Sequence, residues 1–346
     1  MQKRSDSPGQ TPDNLIIHAY DPGPDRFAEA VLEGLGRSRK ALPFRFLYDA
    51  RGSRLFDQIC QQPEYYPTRT ELSILEDHAA DIAALAGRGA RLVELGSGAG
   101  RKVGLLLDAL TEPAAYIPVD ISRDALIPAA GEVARRYPDL PVHAVWADFS
   151  APFDLPLAGV GRAVGFFPGS SIGNFSRTGA REFLAAWKNR LGPGAGMIVG
   201  VDLIKPVVCL EAAYNDAAGV TAAFTLNILR RINETLHADF QLQNFAHQAH
   251  YNPRSWAIDI HLVSLADQVV TVCGHSVAFS KGETVHVESS HKYDIASFAR
   301  LAEAAGFTSA AVWSDPRGRF SVHYLTDAAA PADTQSPGRG DDARRV

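Results

Sequence analysis

Cysteine is scarce in this chain, which has three cysteines among 346 residues. Cys60, Cys209 and Cys273 are widely separated, and no two of them form a Cys-x-x-Cys pair. An odd, scattered set of this kind indicates neither a structural zinc site nor a disulfide framework. It favours a protein that works in a reducing compartment.

Positive charge is not in excess, since the formal net charge is −5 at pH 7. Nucleic acid binding needs a basic surface that neutralises phosphates, so no nucleic acid partner is expected. Long apolar runs are also missing. The longest, GMIVGVDLI at 196–204, is far shorter than the roughly 20 residues of a membrane span. Residues 1–14 lack the apolar core of a signal peptide, so we expect a cytoplasmic protein without a membrane partner.

Both ends of the chain are rich in Pro, Gly, Ser and Asp, and residues 1–13 and 327–346 are predicted to be disordered tails. Between them, short apolar runs alternate with amphipathic segments of roughly ten to fifteen residues. This alternation begins near residue 70 and predicts an α/β fold with a parallel, doubly wound sheet.

The alternation stops after residue 204. One or two helices and several strand-like segments of alternating polarity occupy 205–293, and a helix and a hairpin follow in 294–326. We predict a main domain formed by 70–204 and 294–326. Residues 205–293 read as an insertion, which forms a second lobe together with 14–69.

A glycine-rich turn follows the first strand of the main domain, in RLVELGSGAGRK at 91–102. Gly96, Gly98 and Gly100 have the spacing G-x-G-x-G, which is usual in class I methyltransferases. A dinucleotide loop reads G-x-G-x-x-G/A and needs a small residue where this chain has Arg101. The turn therefore favours S-adenosylmethionine over NAD.

The next two strands end in groups that suit an adenosine. Parallel strands bind ligands at their carboxyl ends. Asp120 can accept hydrogen bonds from both ribose hydroxyls, which S-adenosylmethionine and NAD share. Asp148 can accept from the adenine amine, and Phe149 offers an apolar face. An NAD-dependent oxidoreductase stays open as the alternative from a different class.

Four further segments are long and unusual: FLYDARGSRLFDQICQQPEYYPTRTE (46–71), PGSSIGNF (168–175), AAYNDAAGVTAAF (212–224) and GETVHVESSHKY (282–293). With the glycine turn, they make the chain resemble the histidine Nα-methyltransferases of ergothioneine biosynthesis over nearly all of 15–326. The resemblance implies a doubly wound, Rossmann-like class I methyltransferase sheet with an inserted α+β substrate-binding lobe. It also implies three successive methyl transfers from S-adenosylmethionine to the α-amine of L-histidine, which give hercynine.

The resemblance also implies which residues bind the cofactor. Carried over by motif, the cofactor site of S-adenosylmethionine consists of Gly96, Gly98, Lys102, Asp120, Asp148 and Phe149.

The amino-acid site is implied in the same way. Its residues are Tyr65, Asn174, Tyr214, Glu288 and Ser290, with Tyr48, Phe56 and Ile260 lining it. Asn174 and Tyr214 can donate to a substrate carboxylate, and Glu288 can accept from an imidazole N–H. The aromatic side chains can hold the methylated ammonium by cation–π contacts of roughly 0.5–2 kcal/mol each.

One position departs from the family. A methionine is expected at Ile260, near the imidazole, and a branched side chain changes the shape of that pocket. Retention of Glu288 keeps histidine as the first substrate. Tryptophan or another aromatic amino acid is the near alternative.

His275, His286 and His291 lie close together in sequence but lack the spacing of a metal site. We predict surface histidines and no bound metal. A small-molecule substrate is the expected partner, and the protein is predicted to be a monomer.

Overall fold

The computed structural model describes residues 11–20, 24–98, 100–157 and 159–327. The predicted tails at 1–13 and 327–346 lie outside these ranges, except for residues 11–13 and Asp327. Within the described ranges, no helix is both long and apolar enough to cross a bilayer.

The strands of the described structure are, in chain order, β1 (Leu15–Ala19), β2 (Arg91–Leu95), β3 (Ala115–Asp120), β4 (Val142–Trp146), β5 (Ala163–Phe167), β6 (Gly196–Asp202), β7 (Phe245–Asn252), β8 (Ala257–Ser264), β9 (Gln268–Val272), β10 (His275–Phe279), β11 (Thr284–His291), β12 (Phe307–Ser314) and β13 (Phe320–Asp327). The helices are α1 (Pro24–Gly36), α2 (Ala50–Ile59), α3 (Tyr66–Ala86), α4 (Arg101–Ala109), α5 (Arg123–Arg136), α6 (Arg177–Leu191), α7 (Val207–Tyr214), α8 (Val220–Leu236) and α9 (Ile295–Ala304).

A mostly parallel sheet of eight strands forms the centre, in the order β1-β4-β3-β2-β5-β6-β13-β12. The pairs from β1 to β6 are parallel, whereas β13 runs antiparallel to both β6 and β12. From β2 the chain proceeds outward to β3 and β4, then returns to β5 and β6 on the other side. This reversal opens a crevice at the carboxyl end of β2. The predicted α/β doubly wound fold is confirmed.

Helices cover both faces of this sheet because successive strand residues point in opposite directions. Leu92 packs in one core with Leu106 of α4, and its neighbour Val93 packs in the opposite core with Trp187 of α6. All four side chains are nearly inaccessible to solvent. The continuous apolar runs of the sequence correspond to these doubly buried strands.

A third core joins residues from the two segments that were assigned to the second lobe, 14–69 and 205–293. It includes Phe46, Phe224 and Leu262. An antiparallel sheet in the order β11-β8-β7 and a β9–β10 hairpin flank it. The shared core supports the division into two lobes, which stays a prediction.

Strand β1 departs from that division. It was placed in the second lobe with the rest of 14–69, but it pairs in parallel with β4 at the edge of the large sheet, with Leu15 opposite Val142. The Asn14 side-chain amide fixes this start, since it donates to three backbone carbonyls at the end of α5 and just beyond it. The N-terminal segment assigned to the predicted lobe therefore begins with a strand of the main sheet.

Candidate active site

The glycine turn lies at the carboxyl end of β2, beside the reversal of the sheet. Gly96, Gly98 and Gly100 have φ angles of 76°, 45° and 71°. Residues with a Cβ rarely adopt this left-handed region, so the turn depends on glycine. The Gly96 N–H donates to the carbonyl of Val119 in β3 at 2.8 Å, which ties the turn to the neighbouring strand.

A cavity of about 630 Å³ opens over this turn. Five of the six predicted cofactor residues line it: Gly96, Gly98, Asp120, Asp148 and Phe149. The other side of the cavity is formed by the α2 region of the second lobe, which contributes Tyr48 and Phe56 among others. The structure thus brings three strand ends and the second lobe around one space.

The two aspartates predicted to bind the cofactor are held in place by backbone N–H groups. Asp120 accepts from the N–H of Ser122 at 2.8 Å, and Asp148 accepts from the N–H of Ser150 at 2.9 Å. Burial raises the pKa of the Asp120 carboxyl, and neighbouring N–H groups partly offset this. Arg45 lies 3.6 Å from Asp148.

Lys102 is placed differently from the other predicted cofactor residues. Its Nζ lies 2.5 Å from the fully buried carboxylate of Glu71. The same carboxylate accepts the Gly169 N–H at 2.9 and 3.0 Å. Lys102 therefore anchors α4 to α3 and to the turn after β5, and it is not among the side chains that line the cavity.

The chemistry of the cavity suits a sulfonium nucleoside better than a dinucleotide. Its lining includes five carboxylates against two guanidinium groups: Asp57, Asp120, Asp124, Glu132 and Asp148 against Arg45 and Arg54. A surplus of negative charge repels the pyrophosphate of NAD and attracts a cation. The residues present therefore fit S-adenosylmethionine.

A smaller cavity adjoins the first, and all eight predicted substrate residues line it: Tyr48, Phe56, Tyr65, Asn174, Tyr214, Ile260, Glu288 and Ser290. Tyr48, Phe56 and Asn174 border both cavities. A group bound in the small cavity can therefore face a group bound in the large one.

Local backbone geometry explains how distant residues meet here. Glu288 and Ser290 are two residues apart on β11, so they share one face of the strand. Asn174 ends a short 3₁₀ turn after β5. A Cβ at the preceding Gly173 would lie 2.7 Å from the carbonyl oxygen of His291. Glycine is therefore needed for this turn to approach β11 and to place Asn174 at the cavity.

Aromatic side chains form a wall of the small cavity, and two of them, Tyr48 and Phe56, also border the large one. Tyr48 contacts Phe56 edge-on at 5.7 Å between ring centroids, Phe56 contacts Tyr65 at 6.3 Å, and Tyr65 contacts Tyr214 at 6.2 Å. Burial raises the pKa of Tyr48 and of Tyr65, so both stay neutral. Neutral aromatic faces suit a substituted ammonium.

Glu288 is the acidic group of the small cavity. Its side chain is buried, and burial raises its pKa to about 7 although nearby Lys292 lowers it. A carboxyl with this pKa is ionised at mildly alkaline pH and can then accept a hydrogen bond from a ligand N–H.

Residues 27–327 match the family described as histidine-specific, S-adenosylmethionine-dependent methyltransferases. The chain belongs to this family. The predicted family, the class I methyltransferase interpretation and the cofactor S-adenosylmethionine are thereby confirmed, and the NAD-dependent oxidoreductase is set aside.

Individual relatives agree with the family. The chain is 40% identical over 310 residues to the histidine N-alpha-methyltransferase of Mycolicibacterium smegmatis, covering 88% of this chain and 96% of that protein. It is 31% identical to ergothioneine biosynthesis protein 1 of Neurospora crassa, covering 83% of this chain and 33% of that protein. It is also 30% identical to the 4-dimethylallyltryptophan N-methyltransferase of Aspergillus fumigatus, covering 86% and 92%.

A buried ionic network beside the small cavity has no counterpart among the sequence predictions. Asp202, at the end of β6, accepts from Tyr66 at 2.8 Å, from Lys205 at 2.6 Å and from Lys292 at 2.8 Å. Burial opposes ionisation of Asp202, but the two lysines hold its pKa below the usual value. Positions 288, 290 and 292 alternate along the chain, and this spacing is the signal that could have indicated Lys292.

One histidine prediction is wrong. His275 is exposed and His286 is half-buried, but His291 is buried and its Nδ1 lies 2.9 Å from the Gly173 carbonyl. It supports the turn that carries Asn174. No group of three or more metal-binding side chains occurs in the described part of the chain. A cytoplasmic location and a monomeric state stay predictions.

Proposed function

We propose that this methyltransferase transfers three methyl groups in succession to the α-amine of L-histidine, and that the product is hercynine, an intermediate of ergothioneine biosynthesis. The observation that carries the proposal is the small cavity, in which Glu288, Asn174 and Tyr214 converge beside the cofactor cavity. The names of the relatives from Mycolicibacterium smegmatis and Neurospora crassa support it.

The cofactor supplies a methyl group activated by a positively charged sulfur. In the proposed site, Asp120 accepts hydrogen bonds from its ribose hydroxyls, and Asp148 accepts from its adenine amine. Phe149 packs against the adenine, and its own ring is held edge-on by Phe167 and Phe183. Lys102 supports this site through Glu71.

The amino acid is held at both ends. The Asn174 amide and the Tyr214 hydroxyl donate to its carboxylate, and Glu288 and Ser290 bind the two edges of its imidazole. Buried polar groups of this kind reject a ligand that lacks the matching partner, because they would be left unpaired. Orientation of the amine behind the methyl carbon then provides the catalysis.

The aromatic wall explains how three transfers can follow one another. The hydroxyls of Tyr48 and Tyr65 make no hydrogen bond within the described residues, and both side chains line the small cavity. Each transfer replaces one N–H of the amine by a methyl group and releases S-adenosylhomocysteine and one proton, so hydrogen bonding by the amine weakens while its cation–π contact grows. A wall with both hydroxyls and aromatic faces accommodates all three states.

Tryptophan is the competing acceptor because of Ile260 and because of the Aspergillus fumigatus relative. Ile260 is buried and lies opposite Glu288 in the β8–β11 pair. Its apolar side chain adds no polar group to the small cavity. Glu288 and Ser290 are better matched to an imidazole, which has two polar edges, than to an indole, which has one N–H.

An acceptor panel tests this choice. We expect the purified protein, given S-adenosylmethionine and an equimolar mixture of L-histidine, L-tryptophan and L-tyrosine, to methylate histidine, as followed by mass spectrometry. Methylation of tryptophan or tyrosine in place of histidine would contradict the proposed substrate. Heat-inactivated protein provides the control for background methylation.

A further inference from the structure

Lys292 has no solvent exposure and lies directly behind the amino-acid cavity. Its ammonium group donates to Asp202 at 2.8 Å, to the Tyr214 hydroxyl at 2.9 Å and to the Ser290 hydroxyl at 2.7 Å. These three contacts use all three ammonium hydrogens. Lys292 itself does not line the cavity, so any effect on a ligand must pass through the two hydroxyls.

The two hydroxyls are also bonded to each other. The Tyr214 and Ser290 oxygens are 2.7 Å apart, and either can be the donor. Together they have two hydrogens, one of which lies between the two oxygens. Since Lys292 donates to both oxygens, neither hydrogen can be directed at it. The pair therefore offers a single hydrogen to the cavity.

A substrate carboxylate decides which hydroxyl provides that hydrogen. If Tyr214 donates to the carboxylate, Ser290 must donate to Tyr214. The Ser290 oxygen then accepts from Lys292 with one lone pair and keeps the other lone pair for the cavity. A hydroxyl that accepts from an ammonium group is also a stronger donor than an isolated one, because hydrogen-bond chains polarise one another.

We propose that Lys292 is a positioning residue for carboxylate recognition: it holds the Tyr214–Ser290 pair so that Tyr214 donates to the substrate carboxylate. This inference rests on the proposed function, because it assumes that the small cavity binds an amino acid. It adds a residue that contacts no ligand and acts through two that do.

The inference predicts that a Lys292 variant loses affinity for a ligand that carries a carboxylate. Histamine has the ring and the amine of histidine but no carboxylate, so the two ligands isolate this contact. With S-adenosylhomocysteine present, Lys292→Met should weaken histidine binding about 10- to 100-fold, the range expected for a charge-assisted hydrogen bond. Histamine has no carboxylate and cannot lose this contact, so its binding should change less than about threefold. Isothermal titration calorimetry measures the affinities for both ligands.

Lys205→Met is the matched control. Lys205 donates to the same Asp202 carboxylate but bonds to neither hydroxyl, so the preference for histidine over histamine should persist. Equal losses of affinity for both ligands in Lys292→Met would leave the preference for histidine unchanged and would overturn the inference.

If Lys292→Met does not fold, Lys292→Gln replaces it, since its amide can still donate to a hydroxyl but has no charge. Its preference should then lie below that of the wild type, and an unchanged preference would again overturn the inference.

The proposed function and this inference fail in different ways. A wild-type protein that binds neither histidine nor its methylated forms would contradict the proposed function. A wild-type protein that binds histidine, together with a Lys292 variant that keeps its preference, would contradict the positioning role alone.

Discussion

Replacement of Glu288 by alanine should weaken L-histidine binding about 100-fold, the upper range for loss of a hydrogen bond to a buried charged group. The carboxylate lines the small cavity and is placed to accept from the imidazole. It does not line the cofactor cavity, so the affinity for S-adenosylhomocysteine should stay within about threefold. Calorimetric titration with each ligand measures the two effects separately.

Glu283→Ala is the control for this variant. Glu283 precedes the same strand, but its partner is Lys40 and it lies outside both cavities. It should leave both affinities unchanged. Similar losses of histidine and S-adenosylhomocysteine binding in Glu288→Ala would assign Glu288 a structural role and would contradict its role in substrate recognition.

Glu288 should also make the stability of the ligand-free protein depend on pH. Burial raises its pKa from 4.5 to about 7, so the folded protein binds the proton more tightly than the unfolded chain does. The stabilising contribution is complete below pH 4.5 and is lost as the pH rises through 7. A shift of this size corresponds to about 3 kcal/mol in the free energy of unfolding.

Glu288→Gln removes this titration. The free energy of unfolding of the variant, minus that of the wild type, should rise by up to about 3 kcal/mol from pH 5 to pH 8. Urea denaturation at the two pH values measures the gain. Glu76→Gln, at an exposed position of α3, should show no such gain. A constant difference between Glu288→Gln and wild type at both pH values would contradict the assignment.

Much of the fold follows from local sequence patterns. Apolar runs of about five residues between amphipathic segments predicted the parallel strands, because strands covered on both faces need no polar alternation. The hairpin predicted within 294–326 is confirmed: β12 and β13 pair, and Asp315 in the turn between them accepts from the backbone N–H groups of Arg317, Arg319 and Phe320. Helix α3 begins at Tyr66, close to the predicted start of the alternation near residue 70, and Pro67 lies in its first turn, where proline is tolerated.

The large cavity was predictable because the residues proposed to bind the cofactor follow consecutive strands. The strand ends at Gly96, Asp120 and Asp148 meet at one edge of a parallel sheet whatever the loops do. Lys102 was harder to place. Its position next to the glycine turn suggested a ligand contact, but its ammonium group forms an ion pair with the buried carboxylate of Glu71. A sequence does not show which of two acceptors a lysine reaches.

The amino-acid site could not be assembled from periodicity. Tyr65, Asn174, Tyr214 and Glu288 come from four separate stretches, and only the family resemblance grouped them. The Asp202 network was missed because its partners meet only in the folded chain. Strand β1 was misplaced for a related reason: edge pairing with β4 depends on long-range contacts, and LIIHA alone has no signal for which sheet it joins.

In the proposed function, one histidine α-amine receives three methyl groups at this site. The most direct measurement is the number of S-adenosylhomocysteine molecules formed per histidine consumed, together with the mass and fragment ions of the product. We predict a ratio of three and a product with all three methyl groups on the α-nitrogen. A final ratio of one, or a methyl group on the imidazole ring, would contradict the proposed trimethylation of the α-amine.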